Sequence, residues 1–400
     1  MARPADRPAD AVLGELLAAI EHLASFQRPS ASEGERRAAE WIAARLRAEG
    51  CAARVEQERA HGGYWWPLGL LTGLSGAAAL SGRRVPALVA GAAAAAGVYD
   101  DVSGGRLWFR RRLLPSRPTW NVVAEAGEAG AARTVVVVAH HDAAHSSVLF
   151  TPAFGELMAR RFPVLLERTD TTPPVMLPVL AGPALVALWG LAGGRALRRA
   201  GIALSLGAAA TFAEIGSRQA VPGANDNLSG VATLLGIARL LRERPVRGLR
   251  VLLVSTGSEE SFMEGMQAFA RRHFPALPPD RTHVITVDTV GSPELVQLEG
   301  EGMVRMREYP VAFKDLVSDC AARAGVHLRR GLRFRNATDG LIALRAGYPT
   351  VMLGSVDPRT KLPANYHWRT DTPANVDGRT IADAVTLCTA VIRRLVTDEK

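Results

Sequence analysis

Five short stretches of the chain put carboxylates and imidazoles where a strand or turn hands over to a loop. His140-His141-Asp142 follows the apolar run Thr134–Ala139, and Gly257-Ser258-Glu259-Glu260 follows Leu249–Ser255. Asp288-Thr-Val-Gly291 follows Thr282–Val287, and Tyr366-His367-Trp-Arg-Thr-Asp371 precedes the last helical run. The fifth, Pro222-Gly-Ala-Asn-Asp-Asn-Leu-Ser-Gly230, sets Asp226 at the mouth of an apolar helix. Each has an ordinary explanation alone. An acid at a helix mouth caps it, paired glutamates line solvated faces, and a single histidine at a strand end is structural. Taken together they supply nitrogen and oxygen donors without thiolates, the donor set of a catalytic metal site that keeps a position open for water.

The elements that must bring these residues together alternate strand and helix. Strands are expected at Cys51–Glu58, Thr119–Ala126, Thr134–Ala139, Leu249–Ser255, Thr282–Asp288 and Thr350–Leu353. Helices are expected over 11–27, 31–49, Asp226–Leu241, Glu260–Arg272, Val311–Ala324 and Ile381–Val396. The second has two capping-box candidates, Ser30 with Glu33 and Ser32 with Glu35,. Its apolar positions Ala38, Trp41, Ile42 and Leu46 follow helical spacing and read as a docking face,. The runs Val135–Val138 and Val251–Val254 are continuously apolar, as strands covered on both faces should be,. The expected fold class is α/β, a mostly parallel central sheet sandwiched by helices. Ligands in such folds gather beyond the carboxyl ends of the strands.

In this order, His-x-Asp, Gly-Ala-Asn-Asp-Asn-x-Ser-Gly, Glu-Glu, Asp-x-x-Gly and Tyr-His…Asp resemble the zinc aminopeptidases of peptidase family M28. The resemblance covers the chain apart from two apolar insertions and the far N-terminus. It implies a zinc exopeptidase fold and two zinc ions per chain. His140 and Asp288 are then expected to hold one zinc, Glu260 and His367 the other, with Asp226 bridging them. Glu259 is the implied general base, Asp142 the support of His140, and Tyr366 an assistant in polarising the scissile carbonyl. Two metals ~3.5–4 Å apart need a short bridging carboxylate and acidify the water they share. Adjacent glutamates divide the work well, Glu260 on the metal and Glu259 facing the water. Asp371 is read as a cap or as orienting His367, and Asp339 as an Asx turn, a helix cap or part of a substrate loop.

The chain departs from that family in two apolar blocks, 64–99 and 173–213. Each reads as a helical hairpin with arginines at its tip, the second turning through Gly-Arg-Ala-Leu-Arg-Arg. Their runs lie near the ~20 residues that span a bilayer. Trp65 and Trp66 suit an interfacial belt, and Trp108-Phe109-Arg110-Arg111-Arg112 a membrane surface,. The expected division is a catalytic domain from 1–63, 100–172 and 214–400 with both hairpins inserted, integral to a membrane and in contact with its lipid. Burial of the hairpins against protein or in a dimer is the competing reading; oligomeric state is left open. Residues 1–10 lack an apolar leader, which favours a cytoplasmic body; the tip arginines argue the opposite way under the positive-inside rule,.

Lys and Arg number 48 against 39 acids, a net charge of +9, but no aromatic-interleaved basic patch accompanies them, so no nucleic-acid partner is expected,. Cys51, Cys320 and Cys388 are odd in number and set in apolar contexts, and read as buried thiols,. The expected function is release of N-terminal residues from a peptide substrate. The alternatives are a glutaminyl-cyclase-like acyltransferase, which works with one zinc, and a non-catalytic membrane scaffold.

Overall fold

A computed structural model describes residues 7–397; residues 1–6, part of the stretch read as lacking a leader, and 398–400 lie outside it. The chain opens with helices α1 (Asp10–Ala24) and α2 (Glu33–Ala48), strand β1 (Ala52–Ala60) and the first hairpin, α3 (Trp65–Leu80) and α4 (Arg84–Val102). The short α5 (Trp108–Leu113) leads to β2 (Arg117–Gly127) and β3 (Thr134–His140). Two short helices, α6 (Pro152–Arg161) and α7 (Pro163–Arg168), precede the second hairpin, α8 (Leu177–Ala192) and α9 (Arg195–Ser217). Then come α10 (Ser229–Glu243), β4 (Arg250–Thr256), α11 (Glu264–His273), β5 (Thr282–Val287), β6 (Glu294–Gln297), β7 (Gly300–Glu301) and β8 (Arg307–Glu308). The chain finishes with α12 (Val311–Ala324), β9 (Arg333–Phe334), α13 (Gly340–Arg345), β10 (Thr350–Val356) and α14 (Gly378–Thr397).

Seven strands form one sheet in the order β1-β2-β4-β3-β5-β10-β6. Its middle, β4-β3-β5-β10, is parallel. Strand β2 runs antiparallel to β4, β1 antiparallel to β2, and β6 antiparallel to β10. Five of the seven strands therefore point one way, as the mostly parallel expectation requires. Every residue of β3 is buried, and alternate side chains serve opposite faces,. Val135 and Val137 join α1, α2, α10, α12 and α14 on one side. Val136 and Val138 join α11, α13 and the bases of α3, α4 and α9 on the other.

The two hairpins are not separate. α3 lies on α4 and α9, and α8 on α4 and α9, giving one four-helix bundle. Small residues let the backbones approach: a Cβ on Gly190 would stand 2.6 Å from the Leu88 nitrogen, and one on Gly182 2.7 Å from the Ser205 nitrogen,. The arginines near the far end bind carbonyls across the hairpins. Arg84 donates to Gly190 at 3.2 Å and to Leu191; Arg198 donates to Ala79 and Leu80, both at 3.0 Å. They cap the C-terminal ends of α8 and α3. The expected Arg-rich turn of the second hairpin is instead the first part of α9, and Gly193-Gly194, both with positive φ, make the turn. Among the described residues, Arg84–Val102 and Arg195–Ser217 are long and apolar enough to cross a membrane, while Leu177–Ala192 is shorter.

Two helix starts differ from expectation. Glu260–Met263 is a turn, with Phe262 and Met263 at positive φ, so α11 begins only at Glu264. Asp226 has φ −110° and ψ 91° and precedes α10 rather than opening it. In both places the chain leaves helical geometry where acids face the sheet's carboxyl edge. The stretch Trp108–Arg112 also divides: Trp108 is exposed, whereas Arg110 is fully buried and paired with Asp101 at 2.5 Å and Glu264 at 3.5 Å.

Candidate metal centre

The five stretches meet at the carboxyl end of the parallel strands, as the fold rule requires. His140 ends β3, Glu259 and Glu260 follow β4, Asp288 follows β5, and Asp226 and His367 come from loops. Asp226 is central. Its Oδ1 lies 3.2 Å from His140 Nε2 and its Oδ2 3.1 Å from His367 Nε2. Asp288 Oδ2 is 3.9 Å from His140 Nε2, and Glu260 Oε2 is 3.2 Å from His367 Nε2. Three groups have ligand atoms within 4.8 Å of one another: the triads His140-Asp226-Asp288 and Asp226-Glu260-His367, and His140-Glu259-Glu260, which overlaps both. Glu259 stands beside them, 3.9 Å from His140 Nε2.

The buried carboxylates of Asp226, Glu259 and Asp288 and the partly buried one of Glu260, around two imidazoles, make a strongly anionic pocket. Burial lowers the proton affinity of His140, but Glu259, Asp142, Asp226 and Asp288 outweigh it and hold its pKa well above the usual range. His367 is pushed up to about 10, where Glu260 and Asp226 prevail over burial. Burial and mutual repulsion raise the carboxyls of Glu259, Glu260 and Asp288. Glu260 Oε1 is buried without a hydrogen-bond partner. A dication relieves that crowding, and the oxygen–nitrogen donor set suits zinc. The residues fit the ion.

The turn carrying Asp226 explains its motif. Asn225 Oδ1 accepts the Gly291 N–H at 2.7 Å, and Asn227 Oδ1 accepts those of Gly230 and Thr289 at 3.0 and 3.1 Å. Ser229 Oγ accepts the Val290 N–H at 2.9 Å. The two asparagines and the serine thus knit the Asp226 turn to the Asp288 loop. At Gly230 a Cβ would lie 2.4 Å from Asn227 Oδ1. Asp371 takes neither expected role: its carboxylate accepts the backbone N–H groups of Asn225 at 2.6 Å and Asp226 at 3.0 Å.

Asp142 lies against His140 and reaches further. The nearest partner of His140 Nδ1 is the Asp142 backbone carbonyl at 3.2 Å, with the carboxylate at 3.5 Å. That carboxylate also accepts the N–H groups of Glu259 at 3.0 Å and Glu260 at 3.2 Å, and the Ser30 hydroxyl at 2.6 Å. Ser30 therefore serves the site rather than a capping box. Glu35 is likewise turned inward; it accepts from Ala31 N at 2.6 Å, Thr119 Oγ1 at 2.5 Å, Trp120 N at 3.0 Å and Ser258 N at 3.2 Å. Burial pushes its carboxyl up to about 8. Ser32 does cap α2, accepting the Glu35 N–H at 3.2 Å. Buried Arg28 donates to the carbonyls of His141, Pro222 and Gly223 at 2.8, 2.6 and 2.7 Å, joining two metal loops.

Tyr366 stacks on His367 with ring centroids 3.9 Å apart. The cleft beyond adds Thr289 from the Asp288 motif, Asn336 and Thr338 from the Asp339 loop, and Phe334 and Met352, which did not stand out in the sequence. Asp339 makes no capping bond and accepts the Thr256 hydroxyl instead. His141 points away, its Nδ1 2.9 Å from Ser255 Oγ, and burial lowers it to about 3. His145 packs on Trp65 at 4.3 Å. All three cysteines are buried, and none forms a disulfide.

No curated protein matches the sequence. Among solved structures, a zinc aminopeptidase from Bacillus subtilis is similar at 14% identity and TM-score 0.56, covering 96% of this chain and 94% of that one. An aminopeptidase from Aneurinibacillus sp. strain AM-1 has 13% identity and TM-score 0.55 over 96% and 93%. A glutaminyl cyclase from Bacteroides thetaiotaomicron has 16% identity and TM-score 0.54 over 95% and 97%. These likenesses establish the shared α/β fold. Residues 210–392, which contain Asp226, Glu259, Glu260, Asp288 and His367, match the sequence model of peptidase family M28, and the resemblance carried by the motifs therefore stands.

Proposed function

We propose that the chain is a two-zinc metallopeptidase that releases N-terminal residues from peptides and is held at a membrane by its four-helix bundle. The observation that carries this is the position of Asp226, whose two oxygens face different histidines at 3.2 and 3.1 Å. In this reading His140 and Asp288 would hold one zinc, Glu260 and His367 the other, and Asp226 would serve both. Bound there, a zinc pair supplies Lewis acidity for the scissile carbonyl and acidifies the attacking water.

The chain's own groups do the rest. Glu259 is the general base: it takes the proton of the attacking water and returns it to the leaving amine. Its N–H is fixed by Asp142 at 3.0 Å, so the carboxylate stays aimed at the cleft. Asp142 positions Glu259, Glu260 and His140 together. Tyr366, stacked on His367, adds a phenol beside the reacting carbonyl,. The match to peptidase family M28 and the likeness to zinc aminopeptidases favour a site that takes a free α-amino group, an aminopeptidase. The second triad favours this reading over a one-zinc cyclase.

The membrane reading draws on how little the bundle is buried. Only 39% of the apolar window of α4 and 22% of that of α9 lie inside the protein, where a core helix would be mostly buried,. Trp66, Leu70, Leu74, Val85, Val89 and Leu191 face outward at 47–72% exposure. Lipid satisfies such a surface.

The test is zinc content measured alongside hydrolysis of aminoacyl-p-nitroanilides and cyclisation of a glutaminyl peptide. Two zinc ions per chain with nitroanilide hydrolysis are expected. Glu259→Gln should keep the zinc and lower kcat by ~10²–10⁴-fold; an unchanged rate would refute the mechanism, and zinc binding without hydrolysis would leave a scaffold.

A further inference from the structure

Residues 148–168 present more apolar surface than any other stretch of the body. Helices α6 and α7 have no buried residue. They expose Phe154, Leu157, Phe162, Val164 and Leu165 at 50–61%. Helices of ten and six residues do not hold themselves together in water,. So many exposed large apolar side chains within so short a stretch mark a contact site.

The segment is nevertheless pinned at both ends. At one end Phe150 packs on His367 at 4.8 Å and on Tyr366 at 5.6 Å. At the other, Lys361 Nζ donates to the carbonyls of Glu167 at 3.0 Å and Thr169 at 2.9 Å, and Arg333 pairs with Asp170 at 3.1 Å. The apolar face is thus tied to the metal centre through Phe150.

Three observations select a bilayer surface as what covers it. First, the segment adjoins the bundle at both ends: the Val148 N–H donates to Glu214 of α9 at 3.3 Å. The chain passes from Asp170 to α8 within a few residues, and the preceding loop rests its His145 ring on Trp65 at the root of α3. Second, the bundle fixes the height of the site. Helices of 19 and 23 residues are about 29 and 35 Å long, the thickness of a hydrocarbon core,. At their body end Tyr64, one residue before α3, packs on Phe262 at 4.7 Å, and Phe262 follows Glu260 by two positions. The metal centre therefore lies at the level where the helices would leave the lipid. Third, the apolar side chains are interleaved with exposed charges, Arg161, Arg168, Glu167 and the Arg160–Glu156 pair at 3.1 Å, the mixture of apolar and charged groups that suits a headgroup boundary,.

We infer that residues 148–168 rest in the lipid–water interface and that the site takes the free N-terminus of a peptide itself held at the bilayer. This deepens the aminopeptidase reading and depends on it. Confinement of enzyme and substrate to one surface raises their effective concentration, and the orientation of the cleft along that surface selects anchored chains over dissolved ones.

Three measurements on the full-length, zinc-loaded chain test it. In vesicles of phosphatidylcholine doped with phosphatidylglycerol, a peptide with a C-terminal acyl anchor should be trimmed ~10²-fold faster than the same peptide without it. The double variant Phe154→Glu, Leu165→Glu should lose most of that preference while hydrolysing a soluble aminoacyl-p-nitroanilide in detergent at the parental rate. Leu157→Cys carrying an environment-sensitive fluorophore should brighten and shift blue when vesicles are added. Equal rates on anchored and free peptide, with nitroanilide hydrolysis intact, overturn the interface and leave the peptidase reading in place. No hydrolysis of any substrate overturns both. An unshifted fluorophore, or one whose shift tracks self-association without lipid, overturns the bilayer as occupant.

Discussion

Replacing Asp142 with asparagine tests whether one buried carboxylate organises the centre. Its two oxygens accept Glu259 N–H at 3.0 Å, Glu260 N–H at 3.2 Å and the Ser30 hydroxyl at 2.6 Å. An amide has one acceptor oxygen, so at least one glutamate N–H must face an NH₂ group. Losing a hydrogen bond to a charged acceptor costs ~1.5–3 kcal/mol, and stranding a buried N–H costs a further ~1–3 kcal/mol. Against this, removing one negative charge relieves the crowded acids when no metal is bound. Asp142→Asn should therefore destabilise the metal-free chain by only ~1–3 kcal/mol and the zinc-loaded chain by more. The difference appears as weakened zinc binding, about 10–100-fold. Chelator competition reads the affinity, and denaturant unfolding with and without zinc reads the two stabilities. A zinc affinity within about twofold of the parent would show that Asp142 does not align the ligands, well below the effect expected of a ligand-orienting carboxylate.

Two further outcomes follow from buried groups elsewhere. Glu301 is buried and accepts from Thr338 N and Thr338 Oγ1, both at 3.2 Å, and burial raises its carboxyl from 4.5 to about 8. Because the folded value lies above the unfolded one, its contribution is intact below about pH 4.5 and is lost as pH rises towards 8,. Glu301→Gln should remove that slope, gaining on the parent by at most ~5 kcal/mol across the window in denaturant unfolding; parallel pH profiles would contradict it. Gly182→Leu, whose Cβ would meet the Ser205 nitrogen at 2.7 Å, should lower the thermal midpoint of the detergent-solubilised chain, a cost of ~1–3 kcal/mol,. An unchanged midpoint would mean that α8 and α9 do not pack closely there.

The ligand candidates were legible because strand ends in an α/β sheet converge, so residues far apart in sequence can be placed by pattern alone. His140, Glu260 and Asp288 are of this kind. The groups that hold them were not. Ser30 and Glu35 carry the local signature of helix caps, and only the return of the chain beneath Asp142 and Ser258 turns their oxygens inward. Asp371 lies close to His367 in sequence yet binds the backbone of Asp226, a contact set by how two loops cross. Arg110 sits in a run of arginines whose pattern suggests a uniform surface, whereas α5 buries this one guanidinium against Asp101 and Glu264. The hairpins were legible as apolar runs, but their union depends on backbone approaches at Gly182 and Gly190 that no periodicity encodes.

The fork of Arg28 bears on how this chain can be cut or recombined. The stretch that matches the peptidase family begins at residue 210, yet the guanidinium fastening His141 to Pro222 and Gly223 lies far upstream, as does the Glu35 carboxylate that receives Ser258. A fragment trimmed to the matched stretch would keep most candidate ligands and lose both the His140–His141 loop and the clasp that ties it to Pro222 and Gly223. The same holds for inheritance: the first two helices cannot drift, be exchanged or be tagged internally without the change being felt at the metals. The N-terminal segment is in effect a buckle on a strap whose holes are punched two hundred residues away, and the two ends must be inherited together.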